Sequence, residues 1–491
     1  MTAMTAPTQL PCPLREQARR RPDATAYSCG EDSLTFADFD AAVESTRQQL
    51  QAQGLHAGDL LLARAGNGLP LLRLIWACLR AGVLICPLNP RLPPQQCDAL
   101  ARRLGARALW DDSGTLTLAE VARLTFSDAW TPHRPPPGTL TTLWLDGMRL
   151  ANLTLTSGSL GEPKAVAHRL GAHVASARGS AQRLPLGEED GWLLSLPLFH
   201  VGGFAIVVRC LLAGARLVLP AAGESLSECL RGHAVSHLSL VPTQLWRLLQ
   251  QPEFALAETR LRHLLLGGAP IPAALVSACQ AQGLTPWVSY GLSEMASQVC
   301  TAPASTGDAG VGTPLPERAL RLEHGEIQVR GATLFAGYYA AGGTLTRPLT
   351  ADGWFATGDL GRYLPDGRLE VLGRRDNRFI CGGENIQPEQ IEQQLAQHPA
   401  VRQVIVVPRD DAEWGQQPVA IVDSTLTEAE LPQLATWLRP RLPGYLIPRH
   451  WLGWPAQEQS ALKPGRRPLA AYAASRLDPT QAESKPTMPT D

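Results

Sequence analysis

The sequence predicts an α/β protein: a large N-terminal domain of parallel-rich sheets with helices, a β-rich subdomain, and a small α+β domain at the C-terminal end. Three observations lead there. Short apolar segments bounded by turn residues (LLLARA, VLICPL, GWLLSLPL, ARLVLP, HLSLVP and RHLLLGG) alternate with helical patterns such as SLSECLRGHA and PAALVSACQAQG. That alternation marks strands buried on both faces by crossover helices. From about residue 310 the texture changes to short strands with glycine-rich turns, ALRLEHGEIQVRG and then DGWFATGDLGRYLPDGRLEVLGRRD. After Arg374 comes a compact mixture, with QPEQIEQQLAQHP and ELPQLATWLRPRL as helices and VRQVIVVPRD and QPVAIVDS as strands. The expected domains are therefore 1–373 and 374–473, followed by a polar, disordered tail over 474–491.

With 491 residues the chain is long enough for a large core. A net charge of −1 leaves no electrostatic footprint for nucleic acid or an anionic membrane, so small molecules are the expected partners, with self-association left open. The N-terminal stretch lacks the apolar core of a secretion signal, and the apolar run LRLIWACLRAGVLICPL is interrupted by Arg80, which predicts a cytoplasmic protein with no membrane insertion. Ten cysteines are scattered without a CxxC pair or a His/Cys cluster at zinc spacing and read as buried free thiols. Lysine is nearly absent: Lys164, Lys463 and Lys485 stand against 41 arginines. Where a compact ammonium survives in such a chain, it points mildly to chemistry.

Residues 154–168, TLTSGSLGEPKAVAH, combine hydroxyls, glycines and a lysine in the manner of an anion-binding loop. They do not form a Walker loop, because Glu162 and Pro163 separate Gly158 and Gly161 from Lys164. On its own the stretch reads equally well as a surface loop. It is, however, the first of seven motifs in order: TSGSLGEPKAV, SLPLFHVGG, LLLGGAPIP, SYGLSE, GWFATGDLGR, GRRDNRFICGGENIQPEQIE and ALKPGRRPL. Together they resemble the adenylate-forming superfamily of acyl-CoA synthetases, luciferases and peptide-synthetase adenylation domains, over roughly residues 20–470. Within it, GWLLSLPLFHVGG, SLVPTQLWRLL, YGLSEMAS and DNRFICGGENIQPE are similar to the o-succinylbenzoate:CoA ligase family of menaquinone biosynthesis.

The resemblance implies an AMP-forming acid:CoA ligase that uses ATP, Mg²⁺ and CoA and activates o-succinylbenzoate through an acyl-adenylate. Thr156, Ser157, Gly158, Ser159, Gly161 and Lys164 would face the departing phosphates. Leu160 stands where the family usually has threonine. Gly267, Gly268, Ala269, Tyr290 and Gly291 would form the adenine slot, Asp359 and Arg374 would hold the ribose, and Glu294 would bind Mg²⁺. Ser293 would serve both nucleotide and acid. His200 would gate the acid pocket, and Arg209, in the apolar run FAIVVRCLLAGA, would pair with the acid's second carboxylate or else form a structural ion pair.

By the same resemblance, the C-terminal domain is mobile about Asp376, while Gly382 and Gly383 line the pantetheine tunnel. The last motif departs from the usual spacing. The adenylation cation is either Lys463 or Arg466, and a compact ammonium between two anions favours Lys463. Two other readings stand beside this one: another aryl- or acyl-CoA ligase, and a non-catalytic nucleotide-binding homologue.

Overall fold

A computed structural model describes residues 8–118, 120–126, 139–156, 163–306, 308–411, 413–456 and 465–477. Two large mixed sheets of eight and nine strands, a four-stranded antiparallel sheet, a five-stranded C-terminal sheet and a two-stranded ribbon make up the architecture. The nine-stranded sheet holds the segments GWLLSLPL, ARLVLP, HLSLVP and RHLLLGG as the strands Gly191–Leu193, Arg216–Leu219, His237–Leu240 and His263–Leu266. These run parallel to one another and to Trp287–Leu292, with crossover helices between them. All their carboxyl ends therefore lie along one edge of the sheet, the usual place for a ligand in an open α/β sheet. The eight-stranded sheet contains Leu60–Arg64 and Leu84–Leu88, and it brings Lys164–Arg169 beside Gly337–Ala340, far apart in sequence.

Between the two sheets lies the main core, with Trp76, Trp192 and Phe204 at its centre. The helix Val201–Ala213 is apolar almost all round because both sides face protein. It ends at Gly214, whose φ of 71° closes the last turn in the left-handed region. Near its start, a Cβ on Gly203 would collide with the carbonyls of Leu196 and Pro197, so only glycine lets the SLPLFH strap lie against it. Asn67 ties that strap down by donating to the Leu196 carbonyl at 2.9 Å and accepting from the Leu198 amide at 2.9 Å.

The expected β-rich subdomain is a four-stranded antiparallel sheet of Arg318–Glu323, Glu326–Gly331, Phe355–Tyr363 and Leu369–Arg374. In the C-terminal domain, Pro388–Leu395, Val401–Asp411 and Gly415–Ser424 form as the patterns predict. Two expectations need correction. ELPQLATWLRPRL makes a 3₁₀ turn, Leu431–Gln433, and one short helix, Leu434–Leu438, because Pro432 and Pro440 confine it. The helix Arg466–Leu477 carries the domain past its expected end at 473, because Leu469 and Ala473 are buried one turn apart. Of the expected tail, residues 478–491 lie outside the described residues.

Arg466 begins this last helix. Its guanidinium donates to Glu392 Oε1 at 2.6 Å and Glu389 Oε1 at 3.3 Å, and also to the Val406 carbonyl. Burial pushes the Glu392 carboxyl up against the pull of that guanidinium. Breaking a buried pair by removing one partner costs on the order of 3–5 kcal/mol. Arg466→Met is therefore expected to lower the unfolding free energy by about that amount in urea denaturation, with Glu392→Gln in addition recovering part of the loss. A change under about 1 kcal/mol would contradict the structural role.

Candidate active site

The residues expected to face the nucleotide include those of LLLGGAPIP and SYGLSE, which lie along the carboxyl edge of the nine-stranded sheet. Gly267 follows His263–Leu266 directly and donates to the Leu240 carbonyl at 3.4 Å. Gly268 has φ 81°, and Ala269 completes a small-residue turn where a Cβ on Gly267 would meet the Ser289 carbonyl at 3.3 Å. A flat ring can approach the backbone here for the same reason the neighbouring strand can. Tyr290, buried on the next strand, donates its hydroxyl to Asp359 Oδ2 at 2.7 Å. Burial and that carboxylate hold the phenol well above its ordinary range. Asp359 Oδ1 accepts from Arg374 Nη1 at 3.1 Å across a registered strand pair. Tyr290, Asp359 and Arg374 thus form one continuous polar wall.

On the phosphate side, Thr156 and Lys164 face each other in register across two antiparallel strands. Ser157, Gly158, Ser159 and Gly161, which join them, lie outside the described residues. The Lys164 ammonium sits 4.9 Å above the Tyr338 ring, and the Tyr338 hydroxyl donates to Glu294 Oε1 at 2.8 Å. Glu294 forms no ion pair among the described residues, so a hard carboxylate oriented by Tyr338 is left on the Lys164 side of that ring. Its chemistry fits Mg²⁺.

Residues 293–298 connect this wall to the acid side, and their backbone is unusual. Ala296 and Ser297 have φ of 50° and 108°, values unfavourable for residues with a Cβ. Four carbonyls of the segment are held from outside. His168 Nε2 donates to Ser293 O at 2.6 Å, the Phe335 amide to Glu294 O at 2.8 Å, Ser176 Oγ to Ala296 O at 2.7 Å, and Arg318 to Gln298 O. A Cβ on Gly291 would collide with the Ser297 carbonyl, so the glycine of SYGLSE is fixed by this path. Behind His168 lies His173, with ring centres 4.9 Å apart and its Nε2 on Asn152 Oδ1 at 2.7 Å.

On the acid side, His200 is exposed at the start of the helix Val201–Ala213, its ring 4.6 Å from that of Phe199. Arg209, two turns further on, is 5% exposed and has no carboxylate partner among the described residues. Its Nη2 donates to Gln298 Oε1 at 2.7 Å and its guanidinium carbon lies 5.2 Å over the Trp192 ring. Burial, reinforced by nearby Arg318, pulls its pKa down to about 10. Arg318, equally buried, is pulled down to about 10 by burial. Among the described residues, no ion pair explains Arg209.

The C-terminal residues are placed as follows. Asp376 lies in the exposed turn Arg375–Asn377, with Oδ2 3.6 Å from Arg374 Nη2. Gly382 and Gly383, with φ of 56° and 86°, form a two-residue hairpin turn, and a Cβ on Gly382 would meet the Trp414 ring at 2.5 Å. Gly383 faces open space. Lys463 lies outside the described residues. Arg466, the alternative to Lys463 as adenylation cation, is ion-paired with Glu389 and Glu392 in this structure.

The family model for AMP-binding enzymes matches residues 14–339, and that for the AMP-binding enzyme C-terminal domain matches residues 390–454. The chain belongs to the AMP-binding enzyme family. Among relatives, a 2-succinylbenzoate–CoA ligase of Salmonella typhimurium is 39% identical over 470 residues, 94% of this chain and 97% of the relative. An arginine-to-lysine variant of Escherichia coli MenE with bound OSB-AMS superposes with a TM-score of 0.83 at 34% identity, covering 94% of this chain and 98% of that one. The Bacillus subtilis o-succinylbenzoate coenzyme A synthetase in complex with ATP and magnesium ion gives 0.76 at 28% identity, covering 91% and 96%.

As a member of the AMP-binding enzyme family, the chain carries site residues that sequence reasoning missed. Tyr338 reaches Glu294 only through the antiparallel pairing of Val166 with Tyr338, and the run GYY gives no local hint of it. His168 sits four residues beyond Lys164 on a buried strand, where it reads as core. Burial lowers its pKa to about 4, against an ordinary value of 6.5. Because the folded value is depressed, the unfolded chain binds more protons between those limits, and stability falls as pH drops from about 6.5 towards about 4. The gap is worth on the order of 3 kcal/mol. Urea midpoints are expected to fall between about pH 7 and pH 5, less steeply in His168→Gln; identical slopes would contradict the buried neutral imidazole.

Proposed function

We propose that this chain is an AMP-forming 2-succinylbenzoate–CoA ligase of menaquinone biosynthesis. The observation that carries the reading is the buried, carboxylate-free Arg209 beside Arg318. A buried cation without an anion is costly, and an acid with two carboxylates supplies the missing charge: the benzoate carboxylate pairs with Arg209 while the succinyl carboxylate is activated. In the first step a succinyl carboxylate oxygen attacks the α-phosphorus of ATP and pyrophosphate leaves. In the second, the CoA sulfur attacks the acyl carbon, the thiol proton passes to solvent and AMP leaves. No covalent enzyme intermediate is needed.

The chain's own groups bind and orient. Tyr290 and the Gly267, Gly268, Ala269 turn hold adenine, and Asp359 with Arg374 holds the ribose. Ser157, Gly158, Ser159, Gly161 and Thr156 donate towards the β- and γ-phosphates, with Lys164 as the fixed positive charge. Glu294, oriented by Tyr338, would hold Mg²⁺, which when bound neutralises charge on the phosphate oxygens. His200 and Ser293 flank the acid's path. Lys463 bridges carboxylate and α-phosphate during adenylation, and rotation about Asp376 then withdraws it and opens the path past Gly382 and Gly383 for the pantetheine arm.

The wild type is expected to release AMP and form the CoA thioester with 2-succinylbenzoate. Lys463→Ala should lower acyl-adenylate formation on the order of 10²–10³-fold while still converting supplied 2-succinylbenzoyl-AMP and CoA to the thioester. If the variant adenylates at the wild-type rate, Lys463 is not the bridging cation; if the wild type forms no adenylate with any acid, the non-catalytic reading replaces this one.

A further inference from the structure

The loop and helix that follow the strand Arg216–Leu219 bring three side chains together outside the residues assigned to nucleotide, acid or CoA. We propose that Glu224, Cys229 and His233 form a binding site for a soft divalent cation of the zinc class. One ligand atom from each of the three lies within 4.8 Å of the others, and Glu224 Oε1 is 3.0 Å from His233 Nε2. A tetrahedral ion at about 2.0–2.3 Å from sulfur, nitrogen and oxygen spans such a triangle with small side-chain adjustments. The donor set excludes the ion expected at Glu294: thiolate and imidazole select zinc-class metals, whereas Mg²⁺ takes oxygen.

The site is built from several directions. A reciprocal cap between Ser225 and Glu228 fixes the start of the helix Leu226–Gly232. Cys229 and His233 follow one turn apart, with the His233 amide donating to the Cys229 carbonyl at 3.0 Å. The second carboxylate oxygen of Glu224 accepts the Ala221 amide at 2.8 Å, which aims the first at the triangle. Cys229 is a free, fully buried thiol, while Glu224 and His233 keep 18% and 20% of their side-chain surface, leaving a way in. Cys29 ends the neighbouring strand, opposite Leu219, and its Sγ donates to the Pro220 carbonyl at 3.3 Å, outside the triangle. Water is the candidate fourth ligand. The sequence hides this site because Cys-x-x-x-His in CLRGH is too short a signal without Glu224, and the cation would pin the loop 220–225 to the helix end. Binding expels the Cys229 thiol proton to solvent.

The full-length protein, stripped with a chelator, is titrated with Zn²⁺ against a chromophoric competitor and separately with Co²⁺. One equivalent of Zn²⁺ should bind with a dissociation constant below about 1 μM, and Co²⁺ should give a thiolate charge-transfer band. Cys229→Ser should abolish that band and His233→Gln should weaken Zn²⁺ binding at least tenfold. Glu294→Ala should leave both unchanged, which keeps this site distinct from the magnesium position. No stoichiometric Zn²⁺ binding by the wild type, or a band that survives in folded Cys229→Ser, overturns the proposal and leaves a His233–Glu224 pair beside an inert thiol.

Discussion

The path of residues 293–298 is the constraint on which the site depends. Two consecutive residues with side chains, Ala296 and Ser297, occupy left-handed backbone that neither would adopt alone. They stay there because four carbonyls of the segment are gripped by groups from four other places in the fold: His168, Ser176, Arg318 and the Phe335 amide. The result is a rigid bridge. Glu294 at one end points to the phosphate side, and Gln298 at the other holds Arg209. Under the proposed function, one short stretch of chain would position both nucleotide and acid, which suits a reaction whose main requirement is in-line placement of two anions.

Charge is handled differently in the structural and functional parts of the chain. Arg80 meets Asp40 and Arg466 meets Glu389 and Glu392, so each buried guanidinium of those pairs is neutralised at home. Arg209 and Arg318 meet at Gln298, through its side-chain and backbone oxygens. Arg209 donates otherwise to Ser297 Oγ at 3.5 Å, and Arg318 to the Pro316 and Ser176 carbonyls. Burial pulls both to about 10, and no carboxylate bonds Arg209 among the described residues.

Much of the fold was legible in the sequence because its buried strands are short apolar runs between turns, a pattern set by local packing. The grouping of Tyr290, Asp359 and Arg374 was suggested by motifs that sit at strand ends, where the structure joins the three by hydrogen bonds. What the sequence could not disclose depends on contacts between distant segments. Tyr338 meets Glu294 through a strand pairing more than a hundred residues apart, and His168 looks like core until Ser293 is seen above it. By the same limit, the motif position of Arg466 could not show its pairing with Glu389 and Glu392, which come from a separate helix. The helix Arg466–Leu477 was missed because its apolar anchors, Leu469 and Ala473, are too few to stand out.

Arg209, without a carboxylate partner among the described residues, is the proposed selector of an aromatic acid with a second carboxylate. The most direct measurement compares kcat/KM for 2-succinylbenzoate and for benzoylpropionate, which lacks the ring carboxylate, in the wild type and in folded Arg209→Leu. Loss of a buried charge partner costs about 2–5 kcal/mol, so the wild type should prefer the dicarboxylate by at least about thirtyfold. In Arg209→Leu that preference should collapse, with the KM for ATP unchanged. Equal use of the two acids by the wild type, or a preference that survives the substitution, would contradict the account.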